Sequence, residues 1–404
     1  MTESSSFEHA EPKGLSDGSK SHDTPGLKRR EFLAIGALPL AAAVGPVNLV
    51  SPRGASVKRS QQEPIRIGMI GAGTNLRTVQ IPAFRRIPGC EIVAVANRSL
   101  ESSQRVTDEF NIPRAYANWE ELLDDDGIDA VSIGTWPYMH RTLTLAALER
   151  GKHVLTQARM ANNAQEARDM LEASLQHPDL VCQLVPTSMS YRIDNVLKRM
   201  IREGYLGDVL SVELQRLQTR FPAVGGELDW RHDERFSGYN ILNIGASYEA
   251  MMRWLGQGNR VMAMSKLHVP YRSNAAGEPT SVVIPDHVDV LFELANGAQV
   301  HMRASETTGL STGNETWIHG SEGTIYVDRR QNVFAGRRGD SELTEVPNPR
   351  SEQAYNRVEE EFTNAIRGVE EITMAPFETG VRYMEWTEAV YRSSQTGQTV
   401  YLPV

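Results

Sequence analysis

The chain has 404 residues, 40% of them hydrophobic, enough to bury two cores, and a formal charge of −9. Its first 63 residues hold eight basic and seven acidic groups, so the acidity belongs to the remainder, which has no basic run and argues against nucleic acid as a partner. Two cysteines, Cys90 and Cys182, are too few for a disulfide scaffold, and no set of His, Cys, Asp or Glu recurs at metal-ligand spacing, so no metal is expected.

Residues 1–27 are rich in Ser, Gly, Pro and charge without apolar periodicity, and read as disordered. Residues 28–63 read as a signal and linker. Lys28-Arg29-Arg30-Glu31-Phe32-Leu33, with an uncharged run to Val50, resembles a twin-arginine export signal. Gly36, Pro39, Gly45, Pro46 and Asn48 interrupt that run and make it a poor membrane span. Ala41-Ala42-Ala43 is a candidate cleavage region, and retention as an N-terminal anchor stays open. The expectation is a periplasmic or otherwise extracytoplasmic protein whose partner in transit is the export machinery.

The folded chain begins at residue 64. Ile65, Ile67, Met69 and Ile70 make a short buried strand, and Gly71-Ala72-Gly73 turns from it into a helix opened by Thr74 and Asn75. Glycines suit a turn where a pyrophosphate approaches the backbone and helix N-terminal amides point at it. The third glycine of that pattern is replaced by Leu76. A second strand over 91–97 ends in Asn97-Arg98-Ser99, where a dinucleotide fold reads the adenosine ribose. Lacking an acid there, Arg98 tilts the reading toward NADP; the alternative is that Arg98 stacks on adenine and NAD serves equally. Helices over 101–110 and 119–123, a strand at 115–116, a strand over 129–135 ahead of Trp136-Pro137-Tyr138-Met139-His140, a long amphipathic helix and a strand over 151–155 complete the alternation. That order implies right-handed crossovers and a parallel sheet with a crevice at its carboxyl edge.

The segments 67–84, 93–99, 129–140, 151–161, 191–209, 286–297 and 315–327 together resemble the Gfo/Idh/MocA oxidoreductases, relatives of glucose–fructose oxidoreductase and inositol dehydrogenase. The resemblance implies an α/β protein: an N-terminal Rossmann domain with a doubly wound parallel sheet over 64–185, then an α/β domain over 186–375. The open, mostly antiparallel sheet of that second domain carries substrate and oligomer contacts. It implies a C-terminal helix and tail, 376–404, that pack back on the core. Helices are expected over 354–369 and 381–392, and 319–324 reads as a strand–turn–strand corner.

The family's Glu-Lys-Pro motif is matched by Gln157-Ala158-Arg159, and its Asp-x-Gly-x-His helix by Asn243-Ile244-Gly245-Ala246-Ser247. The usual lysine and histidine proton handlers are both absent. The resemblance gives Gly71, Gly73, Thr74, Asn75, Asn97, Arg98, Thr135, Trp136, Pro137, His140, Gln157 and Arg159 as cofactor-binding candidates. Arg159 can hold a carboxylate or phosphate, or a salt bridge between domains. Tyr248, Glu249, Asn243 and Tyr191 are the catalytic candidates, because a phenol or carboxyl can move a proton when burial tunes it. The i,i+4 spacing places Asn243 and Ser247 on one helical face, with Glu249 elsewhere and in reach of an ion pair with Arg253. In the loop 229–235, Trp230 can stack on a sugar and Arg231 can bond hydroxyls; with Asn240 and Ser247 these are the substrate candidates.

Three functions fit: an NAD(P)-dependent oxidoreductase acting on a sugar or cyclitol; a glycosidase or lyase that oxidises transiently and re-reduces; or a cofactor-binding paralogue without chemistry. Free cofactor is scarce outside the cytoplasm, so an exported enzyme is expected to hold and recycle its own. A homo-oligomer, dimer or tetramer, is expected from the open sheet.

Overall fold

The computed structural model describes residues 63–239 and 241–404. The tail and twin-arginine segment expected for residues 1–62, and the substrate candidate Asn240, lie outside them. The first sheet has six strands, β1 (Ile65–Ile70), β2 (Cys90–Ala96), β3 (Arg114–Tyr116), β4 (Ala130–Ile133), β5 (His153–Thr156) and β6 (Cys182–Leu184). Their order is β3-β2-β1-β4-β5-β6 and every pairing is parallel. Alternation along β1 explains the two-sided burial. Ile65, Ile67 and Met69 pack on one face with Phe84 and Phe362, while Ile70 packs on the other with Val131, Ile133 and Leu143. Cys90 and Cys182 are free, and burial pushes both thiols up to about 12, so they stay protonated.

The second sheet carries β7 (Val209–Leu217), β8 (Gly258–Lys266), β11 (His287–Leu294), β12 (Gln299–Ser305), β13 (Glu315–Gly320), β14 (Gly323–Val327), β15 (Val333–Arg337), β16 (Thr344–Glu345) and β17 (Val400–Tyr401). The small ribbon β9 (Tyr271–Ser273) with β10 (Pro279–Ser281) stands apart. Only β7 with β12 is parallel; the other pairs in this sheet run antiparallel. Val288, Val290, Phe292 and Leu294 of β11 and Val300, Met302 and Ala304 of β12 face inward beneath the Ile244–Leu255 and Phe377–Thr396 helices. Met262, Met264 and Leu291 stand exposed on the other face.

The C-terminal helix is longer than its sequence signal suggests: Pro376 caps its start, and Gly397 at φ +68° ends it. It spans both halves. Glu388 accepts from the Ala164 amide at 3.0 Å and Glu385 pairs with Arg168 at 2.8 Å, while Ser393 accepts from Ala263 of β8 at 2.9 Å. The other expected helix shortens to Val358–Ile366, where Val358 and Phe362 close the core of the first sheet. Among the described residues no helix is long and apolar enough to cross a membrane.

Candidate functional site

Four strand ends converge at the carboxyl edge of the first sheet. After β1, the Gly71 amide bonds Ala96 O at 2.8 Å and the Ala72 amide donates to Asn97 Oδ1 at 2.7 Å, so the end of β2 is pinned to the glycine turn. Gly71 has φ +73°, and a Cβ there would lie 2.6 Å from Thr135 Cγ2. Gly73 differs: a Cβ would meet only Gly71 O at 3.9 Å, which leaves an open cradle at the turn. Leu76 stands where the third glycine belongs because the close approach has moved to Gly134, where a Cβ would lie 2.1 Å from Leu76 Cδ1. The helix after the turn begins as a π-helical turn, Leu76–Gln80, with no acid near its start, which keeps its N-terminal end favourable to an anion. Thr74 and Asn75 border the cradle. Asn75 Nδ2 donates to Gln157 Oε1 at 2.6 Å and so ties the β1 and β5 ends together.

Thr135 Oγ1 and Gln157 Nε2, at the ends of β4 and β5, are buried and have no partner among the described residues. Orphaned polar atoms beside an open glycine cradle fit a dinucleotide whose nicotinamide end offers hydrogen-bonding groups. Arg98 is exposed beyond β2, free of the core.

A roof from the second half leans on this edge. Asp229 and Asp233 each cap a short turn, over Trp230–His232 and Glu234–Ser237, accepting from the amides of Arg231 at 2.9 Å and Arg235 at 3.0 Å. Trp136, 40% exposed, stacks on Trp230 at 5.8 Å between centroids and meets Phe236 at a tilt, 4.8 Å away, and Tyr138 meets Phe236 edge-on at 5.4 Å. Arg231 lies over the Trp230 ring and pairs with Asp229 at 3.2 Å, so it braces the roof instead of reaching for hydroxyls. A cavity of about 300 Å³ is lined by Gln218, His232, Arg272 and Glu306, at the lower end of the range for small-molecule sites.

Several candidates turn out to be scaffold. Tyr248 is 1% exposed, stacked on Trp386 at 4.4 Å, and its hydroxyl accepts from the Gly258 amide at 2.8 Å. Burial pushes it up to about 12. Glu249 is buried as the ion-pair alternative required: Oε1 meets Arg253 at 2.9 Å and the Thr187 amide at 3.1 Å. Both point into the core because the helix places its apolar stripe there. Asn243 is not on the helical face. It is the N-cap residue with φ +57°, after Leu242 at φ +51°, and the helix starts at Ile244. Ser247 is buried in the first turn, its Oγ accepting from Arg216 Nε at 3.2 Å. His140 has no exposed surface. Its ring nitrogens face the carbonyls of Arg159 at 2.8 Å and Thr135 at 2.9 Å, and burial lowers its pKa, so it braces two turns rather than touching a cofactor. Pro137 is buried and starts the turn that presents Trp136. Arg159 is neither phosphate clamp nor interdomain salt bridge: its guanidinium donates to Ser237 O in the roof. Burial brings it down to about 9, still charged at neutral pH.

Tyr191 opens the helix after β6. Arg253 lies over its ring at 5.2 Å, its hydroxyl is buried without a partner among the described residues, and burial pushes it up. Sequence reasoning missed Arg216 and Phe236. The signal for Arg216 was present: it continues the inward-facing series Val212, Leu214 on β7, a charge at an apolar position.

Tyr248→Phe and Glu249→Gln should therefore each leave turnover within about twofold of wild type, while Tyr248→Phe lowers stability by about 1 kcal/mol through the lost Gly258 bond. Steady-state rates beside thermal unfolding check this; a loss of turnover beyond tenfold in a folded variant would put that residue back in the chemistry.

Residues 65–183 match the model of an oxidoreductase family with an NAD-binding Rossmann fold, and residues 195–326 match the GFO/IDH/MocA C-terminal domain. The chain is similar to levoglucosan dehydrogenase of Pseudarthrobacter phenanthrenivorans, 25% identical over 308 residues that cover 68% of this chain and 78% of the relative. It is 28% identical to 1,5-anhydro-D-fructose reductase of Ensifer adhaerens over 346 residues, covering 82% and 97%. A solved levoglucosan dehydrogenase in complex with NADH and L-sorbose shares the fold, with TM-score 0.72, 21% identity and coverage of 84% and 99%. Matched in both its sheets, the chain belongs to the GFO/IDH/MocA oxidoreductases.

Proposed function

We propose that the protein is an NAD(P)-dependent oxidoreductase acting on a sugar, sugar derivative or cyclitol, as the dehydrogenases and reductases it is similar to suggest. The observation that carries this reading is the pair of orphaned atoms, Thr135 Oγ1 and Gln157 Nε2, beside the Gly73 cradle and under an aromatic roof. Gly71, Gly73, Thr74 and Asn75 would hold the pyrophosphate, Asn97 and Arg98 border the adenosine ribose, and Thr135, Trp136 and Gln157 surround the nicotinamide end. The bound nicotinamide supplies the hydride acceptor or donor. Trp136 and Trp230 offer apolar faces to a sugar's C–H bonds and exclude water.

The N-terminal Arg29-Arg30 pattern supports export, and the exposed Met262, Met264 and Leu291 on the open sheet support a homo-oligomer formed through that face. One experiment tests these points. Protein purified without dialysis from the extracytoplasmic fraction is expected to run above its monomer mass on gel filtration. It should carry about one NAD(H) or NADP(H) per chain by absorbance and mass spectrometry, with Arg98 favouring NADP. A chain that stays cytoplasmic rejects export, a monomer rejects the assembly, and an empty protein that binds neither added cofactor leaves the non-catalytic paralogue.

A further inference from the structure

Arg216, beside the Ser247 that takes the family's histidine position, has no ion-pair partner among the described residues. Its row on β7 runs Val212 and Leu214, buried at 1% and 0%, and then reaches Arg216, across from Ala304 of β12. Arg159 meets the Ser237 carbonyl, whereas Arg253 pairs with Asp194 and Glu249, each at 2.9 Å, and Arg272 with Glu306 at 3.2 Å. Arg216 instead bonds neutral oxygens. Nε donates to Ser247 Oγ at 3.2 Å, and Nη1 to the carbonyls of Gln215 at 2.8 Å and Glu315 at 3.2 Å. Its Nη2 has no partner among the described residues. Because Ser247 Oγ accepts from Nε, the hydroxyl's own proton is uncommitted among them. Burial lowers the guanidinium to about 10, so it keeps its charge, and an uncompensated buried charge is costly until an anion meets it.

We propose that Arg216 and Ser247 receive a carboxylate of the substrate, so that the enzyme acts on sugar acids, uronates or aldonates, in preference to neutral sugars. This rests on the oxidoreductase reading above and names its substrate class. Two donors, Nη2–H and Oγ–H, match the two oxygens of a carboxylate, and one uncompensated positive charge matches a monoanion. A phosphate dianion would bring a second negative charge into a chain already at −9. Ser247 stands where the family pattern has histidine, so the position that would have handled a proton is used to hold charge.

The test is calorimetric titration of the cofactor-loaded protein with glucuronate, galacturonate and gluconate, against glucose, galactose and glucose 6-phosphate. At least one acid should bind tenfold or more tighter than its neutral parent. Arg216→Gln should erase that preference, a loss of roughly 10- to 100-fold for the acid, and Arg216→Lys should restore part of it. Cofactor occupancy, measured first and separately, reports that each variant is folded. Equal binding of acid and parent, no binding by any acid, tighter binding of the sugar phosphate, or a preference that survives Arg216→Gln overturns the proposal. Failure to bind cofactor in the wild type overturns the underlying reading instead.

Discussion

Gly71→Ala is expected to cost about 2–4 kcal/mol of stability and to abolish cofactor binding, whereas Gly73→Ala should fold like wild type and weaken cofactor binding tenfold or more. The two glycines sit in one turn but face different neighbours. At φ +73°, any side chain on residue 71 is strained by about 1–2 kcal/mol. The added methyl also lands 2.6 Å from Thr135 Cγ2 and 2.8 Å from the Thr135 amide, forcing apart the β1 and β4 ends. At residue 73 the same methyl enters open space, which costs the fold little but occupies the path of an approaching pyrophosphate. Thermal unfolding and fluorescence titration with NAD(P)H separate the two effects. If Gly73→Ala bound cofactor as tightly as wild type, the cradle would not be the pyrophosphate site.

Arg253→Met should destabilise the protein by about 3–5 kcal/mol, the usual effect of removing one partner from a buried charge cluster. Arg253 holds Asp194 and Glu249 at 2.9 Å each and donates to Ser190 Oγ at 2.7 Å and Thr187 O at 3.2 Å. Asp194 also takes the Trp254 indole N–H at 2.6 Å. The cluster joins the loop after β6 to the Ile244–Leu255 helix, so its loss loosens the seam between the two sheets. A pH signature goes with it. Burial, only partly offset by Arg253, raises Glu249 from 4.5 to about 7. A carboxyl raised on folding binds its proton more tightly in the folded state. Its contribution is therefore full below about pH 4.5 and fades as pH rises to about 7, by on the order of 3 kcal/mol. Glu249→Gln should flatten that slope, and Arg253→Met should extend it above pH 7. Chemical denaturation at pH 5, 6, 7 and 8 reads both; an unchanged slope in Glu249→Gln would assign the pH dependence to another group.

Which functional residues were legible depended on the range of the interaction that fixes them. Gly71 and Gly73 were readable because a tight turn after an apolar strand is a local demand of backbone geometry. Leu76 looked like a defect in the same motif, and only the packed structure shows the missing space supplied by Gly134, which comes from β4. Glu249 carried its answer within one turn of helix, in Arg253. Tyr248 did not: what buries it is Trp386, on a helix far away in sequence, and no spacing rule connects them. Asn243 failed for a local reason, since two successive residues at positive φ delay the helix by one position beyond the aligned motif.

The sequence by itself determined the alternation of strands and helices, the crevice at the carboxyl edge, the family, and the absence of the usual lysine and histidine. All of these are written in short-range periodicity or in residue identity. The tertiary structure decided the rest: that Arg159 serves the roof through Ser237, that His140 is a brace, and that Arg216 keeps a positive charge without a carboxylate. Charge compensation is settled by which side chains meet across sheets and helices, and a chain with 51 acidic residues does not reveal from its sequence which arginines they pair with.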